Sequence, residues 1–287
     1  MRDSFSVLLF MIKDQFMKIQ VCCGFLLGII ISFQPVMSLI SYSQQVNGKI
    51  QILESFITLL SMRHNMAFLI LGFLLCSSNA PFVTSGTVYA LMRTTRKKWF
   101  HSSFVYIGFL AFSYIAILLL FSIILSSGVS FIKNEWSETV YYVARYVPEE
   151  AVKLSLGIEL GPLIFENLTP LSASLYSSIL FFLYCFFLGC VMCIGNSFKG
   201  KFYGWSVAVL IHGVGYILIS DAWGSFPVLS PMAHALLNLH DIYKGNLSIN
   251  SLPFSLAVFI LLLILLYKIG NWFVKNFDFV ISGGEKT

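Results

Sequence analysis

Long apolar runs separated by shorter polar stretches are the main pattern in this chain. Six runs approach or reach the roughly 20 residues that a helix needs to cross a bilayer. They cover residues 19–42, 62–78, 102–127, 174–195, 204–220 and 254–273. A shorter apolar stretch comes before them and is broken by Lys13 and Asp14, as is typical of an amphipathic helix lying in the membrane interface. The pattern predicts an all-α integral membrane protein with six transmembrane helices and an interfacial amphipathic helix over residues 1–18.

The composition supports a membrane protein. Of the 287 residues, 57% are hydrophobic and only 11% are charged, and the mean hydropathy is +0.83. Soluble domains contain about 25% charged residues, so most of this surface must face lipid. All six cysteines lie inside apolar runs, where cysteine is usually a packing residue. We therefore expect no disulfide and no metal site.

Basic residues are distributed unevenly among the polar segments. One set of segments contains twelve lysines and arginines against four acids; it comprises residues 1–18, 77–103, 196–205 and 268–287. The other set contains six against nine; it comprises residues 43–63, 128–175 and 221–253. Positive charge is retained on the cytoplasmic side during insertion. Both termini are therefore predicted to be cytoplasmic, and the net charge of +5 indicates orientation rather than nucleic-acid binding.

This orientation assigns the connections between spans. Residues 79–101 become a cytoplasmic loop and residues 275–287 a cytoplasmic tail. Residues 43–62 become an external connection, and residues 128–173 become an extracellular loop. We expect a multi-pass protein of a bacterial cell membrane.

The loop over residues 79–101 has an unusual composition. It contains Arg93, Arg96, Lys97 and Lys98 without any acid, and membrane lipid is an expected partner of such a cluster. Trp99 suits the headgroup layer. The loop also contains two aromatic residues, Phe82 and Tyr89, and aromatic side chains dominate protein interfaces.

Three stretches support a family resemblance. Residues 79–82 read Asn-Ala-Pro-Phe, and residues 89–99 read Tyr-Ala-Leu-Met-Arg-Thr-Thr-Arg-Lys-Lys-Trp. Residues 230–237 read Ser-Pro-Met-Ala-His-Ala-Leu-Leu. Together with the order of the elements, these stretches resemble the membrane subunits of bacterial type-2 ABC transporters. In that family, a cytoplasmic loop between the second and third spans packs on a separate ATPase.

The resemblance implies a permease subunit of an ATP-driven exporter, which forms the translocation path and is not itself an enzyme. The sequence contains no GxxxxGK[ST] motif, so ATP and Mg²⁺ would bind to a partner ATPase and this chain would hold no cofactor. The expected partners are ABC ATPase subunits and a second copy of the permease or a homologous one. The residues implied in ATPase coupling are Pro81, Phe82, Tyr89, Arg93, Arg96, Lys97, Lys98 and Trp99.

Four further residues are candidates for the translocation path or for structural roles. His212 is the one histidine in the middle of a predicted span, and ionisable residues in a membrane are functional candidates. A neutral His212 held by an interhelical hydrogen bond is the competing interpretation. Ser230, Pro231 and His234 belong to the third stretch of the resemblance. No acidic or basic residue lies deep in a predicted span, which argues against a proton- or sodium-coupled carrier.

Two other functions compete with transport. Glu149 and Glu150, followed by His212 and His234, faintly resemble the intramembrane glutamyl (CAAX-type) proteases, although Leu154 stands where that family has arginine. A glutamate pair that activates water needs histidine or metal partners in fixed geometry. The other alternative is an immunity or accessory membrane protein that does not transport.

Overall fold

The computed structural model describes residues 2–82, 94–146, 160–199, 201–219, 229–240 and 251–274. These residues are mainly helical. The helices are α1 (Arg2–Gln15), α2 (Ile19–Gln45), α3 (Glu54–Ser61), α4 (Arg63–Cys76), α5 (Arg96–Ser126), α6 (Glu138–Tyr146), α7 (Pro162–Asn167), α8 (Pro170–Lys199), α9 (Lys201–Ile219) and α10 (Leu252–Val274). Two short parallel strands, β1 (Ile50–Gln51) and β2 (Ser130–Phe131), pair with each other.

Five of these helices, α2, α5, α8, α9 and α10, are each long and apolar enough to cross a membrane. Helices α3 and α4 pass the same test only as a pair, and they are bent by 88° at their junction. The prediction of an all-α membrane protein is therefore confirmed, with five spans or six if the bent pair counts as one.

Helix α3 differs from the sequence-based prediction. Residues 43–62 were expected to form an external connection, but all eight residues of α3 are buried. The helix packs against α2, α4, α5 and α8. Its eight residues are too few to give a membrane-length apolar run, and this explains why the prediction was wrong for residues 54–61.

The connection between α8 and α9 is also shorter than expected. The predicted spans leave residues 196–203 between them, but α8 continues to Lys199 and α9 begins at Lys201. Two glycines allow the helices to approach closely here: a Cβ atom added at Gly195 would lie 2.5 Å from the Cα atom of Gly204.

The side chain of Tyr114 in α5 fills the close crossing of α2 and α4. Its buried hydroxyl donates a 2.8 Å hydrogen bond to the carbonyl of Leu69. A Cβ atom added at Gly28 or at Gly72 would lie 2.5 Å from the hydroxyl oxygen. Glycine at both positions therefore makes room for the tyrosine, whose polar tip finds a partner inside the bundle.

Helix α1 packs along α5. Val7 and Met11 are buried one turn apart, and the hydroxyl of Ser103 in α5 contacts the sulfur of Met11 at 4.0 Å. Phe5 and Leu9 on the other side of the helix are at least half exposed. The helix thus presents one apolar side to the bundle and another to its surroundings.

The residues after α5 do not form a free loop. A small apolar cluster joins the second half of α2 to β1, α6 and α7, and it contains Val36, Ile50, Val140 and Ile164. Within the predicted extracellular segment 128–173, residues 128–146 and 160–173 are described, and both parts contribute to this end of the bundle.

The Gly28→Ala substitution should destabilise the protein. The added methyl group overlaps Tyr114, and such overpacking costs about 1–3 kcal/mol. Thermal unfolding of the purified chain in detergent measures the effect. Gly213→Ala in α9 is the matched control, because no atom lies within 4 Å of its added Cβ. Equal melting temperatures for the two variants would contradict the packing assigned to Tyr114.

Candidate functional site

The residues that follow α4 are attached to three other helices. The side chain of Asn79 donates a 3.1 Å hydrogen bond to Gln20 in α2. The ring of Phe82 meets Tyr106 in α5 edge to face, with 4.7 Å between the ring centroids. The third attachment joins the carbonyl of Ala80 to α8 and is described next. We call residues 79–82, together with these partners, the Ala80 junction.

Asn196 makes the third attachment with both ends of its amide group. Its nitrogen donates a 2.7 Å hydrogen bond to the carbonyl of Ala80, and its oxygen accepts a 2.8 Å bond from the backbone N–H of Gly204. The side chain is only 5% exposed. One buried amide therefore links the start of the predicted coupling loop to α8 and α9.

Sequence reasoning did not single out Asn196. It lies at the end of an apolar run, where a polar residue is ordinary, and its partner Ala80 is 116 positions away. The sequence signal that could have indicated Asn196 is the pair of glycines on either side of it, Gly195 and Gly204. These glycines let the two helices approach closely beside its amide.

Two of the predicted coupling residues face inward. Phe82 is 2% exposed and Trp99 is 1% exposed, and both belong to the main hydrophobic core. Phe82 therefore does not offer an exposed aromatic anchor, and the side chain of Trp99 packs into the protein core. Phe82 turns toward Tyr106 from a backbone with φ of 61°. Pro81, beside it, is also buried.

The basic coupling residues lie on the first turn of α5. Thr95 caps the helix by accepting a hydrogen bond from the backbone of Lys98. Arg96 and Lys97 are exposed, whereas Lys98 is half-buried. Positive side chains at a helix N-terminus oppose the helix dipole, so helix stability does not explain this cluster. Two other predicted coupling residues, Tyr89 and Arg93, lie outside the described residues.

His212 joins three helices. Its Nε2 atom lies 3.0 Å from the carbonyl of Ala67 in α4, and its Nδ1 atom lies 2.8 Å from the hydroxyl of Tyr184 in α8. A carbonyl only accepts, so Nε2 donates to it, and Nδ1 of a neutral ring accepts from the tyrosine. Both ring nitrogens have protein partners on other helices, and this geometry supports the structural interpretation of His212.

Ser230 anchors a buried segment to α9. Its hydroxyl donates a 2.7 Å hydrogen bond to the carbonyl of Gly215. Pro231 follows directly, and Met232 and Leu236 are completely buried. This segment was expected to lie in a polar external stretch over residues 221–253. That expectation is wrong for residues 230–237, which pack into the bundle.

His234 and His240 share one serine. The Nδ1 atom of His240 lies 2.8 Å from the carbonyl of Leu236, and its Nε2 atom lies 2.8 Å from the hydroxyl of Ser255. Nδ1 therefore donates to the carbonyl, and Ser255 donates to Nε2 when the ring is neutral. In that case Nδ1 of His234, 2.8 Å from the same hydroxyl, donates to Ser255.

This chain of hydrogen bonds fastens residues 234–240 to the first turns of α10. A serine hydroxyl that donates to a histidine is also the arrangement of an activated nucleophile. However, Ser255 is completely buried, and both histidines are less than 8% exposed. The geometry therefore supports a structural joint. Sequence reasoning missed Ser255 because it is one of many serines in apolar surroundings.

Glu54 in α3 is the third polar residue that sequence reasoning missed. One carboxylate oxygen accepts a 2.6 Å hydrogen bond from the backbone of Ser137, and the other accepts from the Ser137 hydroxyl at 2.6 Å and the backbone of Gln51 at 2.8 Å. The residue is completely buried. A buried carboxylate requires such donors, and here they fasten the start of α6 to α3.

The exposed surface of α2 carries a polar face. Gln34, Ser38, Ser41 and Gln45 recur at helical spacing and line an open groove of about 530 Å³, together with Phe33, Met37 and Tyr42. Gln34 donates a 3.3 Å hydrogen bond to Ser38. The first half of the same helix exposes apolar side chains such as Leu26 and Ile30 instead.

Comparison of the chain with protein-family models, with curated proteins and with solved structures finds no match. The function is therefore inferred from the geometry of the chain and from its sequence motifs.

Replacement of Asn196 by leucine should destabilise the protein and loosen the Ala80 junction. The substitution leaves the carbonyl of Ala80 and the N–H of Gly204 buried without partners, and each such group costs about 1–3 kcal/mol. We expect a lower melting temperature and faster hydrogen exchange at the backbone of residues 79–82.

Ser197→Ala is the control for this substitution. Its hydroxyl donates only to the carbonyl of Cys193 within the same helix, so its removal should change neither measurement. Unchanged exchange at residues 79–82 in the Asn196 variant would contradict the proposed link.

Proposed function

We propose that this chain is the permease subunit of an ATP-driven ABC exporter in a bacterial cell membrane. In this proposal it forms the translocation path together with a second copy or a homologous permease. Separate ATPase subunits drive it through residues 79–101, on the cytoplasmic side. The single observation that carries the proposal is the polar face of α2.

Polar side chains on the outer surface of a membrane-length helix need a partner. Lipid offers no hydrogen bonds, so the amide of Gln34, which bonds to Ser38 at 3.3 Å through its nitrogen, would find no further partner there. A water-filled path or a second permease supplies the missing partners. The polar face occupies only the second half of α2, while Leu26 and Ile30 in the first half suit lipid. This division favours a path that begins partway along the helix.

The Ala80 junction supports coupling to a motor. A force applied to the loop at residues 79–101 reaches α2 through Asn79, α5 through Phe82, and α8 and α9 through Asn196. Buried hydrogen bonds and a ring contact are stiffer than a flexible connection. Movement of the loop would therefore displace these helices together, as alternating access requires.

The exposed cations on the first turn of α5 complete the coupling surface. Arg96 and Lys97 lie at the end of the loop and remain accessible. In this proposal the partner ATPase binds ATP and Mg²⁺, because the chain contains no P-loop motif. The chain itself converts no substrate chemically and holds no cofactor.

The competing functions find less support in the structure. Glu149 and Glu150 of the protease interpretation lie outside the described residues. His212 bonds to Tyr184 and Ala67, and His234 bonds to Ser255, so the two histidines take part in different joints. No particular observation favours an immunity or accessory protein.

Purification from the membranes of its own host tests the proposal. The tagged chain in mild detergent should bring down a P-loop ATPase, identified by mass spectrometry, and the complex should hydrolyse ATP in a vanadate-sensitive manner. The double substitution Arg96→Glu with Lys97→Glu should reduce recovery of the ATPase several-fold.

Lys49→Glu with Lys133→Glu is the matched control, because both of these lysines are exposed at the other end of the bundle. Recovery of the chain without any ATPase, under conditions that preserve its own fold, would refute the permease assignment and favour a stand-alone protein.

Thiol labelling tests the polar face of α2 directly. A cysteine at position 41 should react with a water-soluble maleimide, because thiolate chemistry requires water. Ile30→Cys is the control on the exposed apolar half of the same helix and should remain unlabelled in membranes. Labelling is measured above that of the unmodified chain, which has six cysteines of its own. Equal labelling at the two positions would contradict a water-lined face.

A further inference from the structure

An open groove of about 810 Å³ lies on the surface formed by α5, α8 and α10. One part of it is apolar, with walls formed by Phe104, Phe186, Leu263 and Ile264. This groove is separate from the polar face of α2 and from the Ala80 junction. The proposed function uses one of its residues, Lys97, as part of the coupling surface and makes no use of the rest.

The other part of the groove is basic. Lys97 from α5 and Lys268 from α10 line it, and both side chains are exposed. Among the described residues, no acidic side chain lines the groove and neither lysine takes part in an ion pair. Lys97 also lies on the first turn of α5, where the helix dipole adds positive potential. The basic part therefore attracts an anion.

Aromatic and amide side chains border the two lysines. Tyr267 and Trp272 line the groove, as does Asn271, and Trp272 is 62% exposed. Tyrosine and tryptophan with apolar bodies and polar tips are typical of the membrane–water interface. The basic part of the groove thus contains the residue types that proteins typically place at the lipid headgroup layer.

The two parts follow the axis of α10. Gly270 brings this helix against Phe100, since an added Cβ atom would overlap the phenylalanine ring. From Leu263 to Trp272 the helix advances about 13 Å at 1.5 Å per residue. That distance accommodates an acyl segment on the apolar walls with a headgroup beside the lysines.

We propose that this groove binds one anionic phospholipid. Its phosphate lies between Lys97 and Lys268, and an acyl chain covers Phe104 and Leu263. A small soluble anion would leave the apolar walls bare. A second copy bound symmetrically through this groove would place lysines against lysines, which costs free energy.

Tryptophan quenching by brominated lipids tests the proposal. The full-length chain in detergent is titrated with brominated phosphatidylglycerol and with brominated phosphatidylcholine of the same acyl chains. The contribution of Trp272 is the difference from the Trp272→Phe variant. We expect an apparent affinity for phosphatidylglycerol roughly tenfold higher than for phosphatidylcholine, because two lysines near an anionic headgroup contribute favourable binding free energy of about that size.

Substitution of the lysines assigns the preference to the groove. The double substitution Lys97→Ala with Lys268→Ala should make the apparent affinities for the two lipids nearly equal. The double substitution Lys49→Ala with Lys133→Ala removes the same charge elsewhere and should leave the difference in affinity unchanged. Lys97→Arg with Lys268→Arg retains both charges and should also keep the preference, even if the alanine pair fails to fold.

Three results would overturn the proposal. They are equal quenching of the wild-type chain by both lipids, an unchanged preference in the folded alanine variant, and loss of the preference in the arginine variant. If Trp272 is not quenched by either lipid and a photocrosslinker at its position captures a second copy, the groove is a protein interface instead.

Discussion

One buried amide, the side chain of Asn196, connects the segment after α4 to the α8–α9 pair. Its two hydrogen bonds, to Ala80 and from Gly204, lie where water is not available to replace them. In such surroundings an unsatisfied backbone group is expensive, so the segment has little freedom to move independently of α8. A transport mechanism that acts through residues 79–101 depends on this constraint. If the amide did not hold the segment, a push on the loop would be absorbed there and would not reach the spans.

The same physical rule explains the other buried polar side chains. His212 uses both ring nitrogens on partners from two other helices, and Ser255 lies between His234 and His240. Glu54 accepts three hydrogen bonds and ties α6 to α3. Each group is matched by protein donors or acceptors, which makes it a joint between elements. These joints differ from the polar face of α2, which is exposed, and in the proposed transporter only that face is available to a passing solute.

The apolar runs were sufficient to predict five membrane-length helices, because each run is long enough to be recognised from the local sequence alone. Helix α3 was missed for the opposite reason: eight residues that begin with Glu54 resemble a loop until tertiary contacts bury them. The segment from Ser230 to Leu237 was assigned to the outside because proline and small residues are typical of turns. The inward direction of the Phe82 and Trp99 side chains could not be predicted from the sequence either, because it depends on contacts with residues elsewhere in the chain. The basic cluster of α5 was recognised because charge can be read locally, and its exposed members, Arg96 and Lys97, lie where a loop end should be.

The two exposed surfaces of the bundle have different requirements. The amide of Gln34 has hydrogen-bonding capacity beyond its bond to Ser38, so this face of α2 is unsuited to lipid chains. Helix α10, in contrast, exposes mainly apolar side chains, and the two lysines at its groove suit an anionic headgroup. An assembly that satisfies both surfaces places water or a second permease on α2 and leaves α10 to the bilayer. If α10 instead formed the contact between permeases, the amides of α2 would face hydrocarbon and the lysines would be buried against one another. In the proposed transporter, the chemistry of the two helices therefore favours α2 as the side on which a second permease would complete the path.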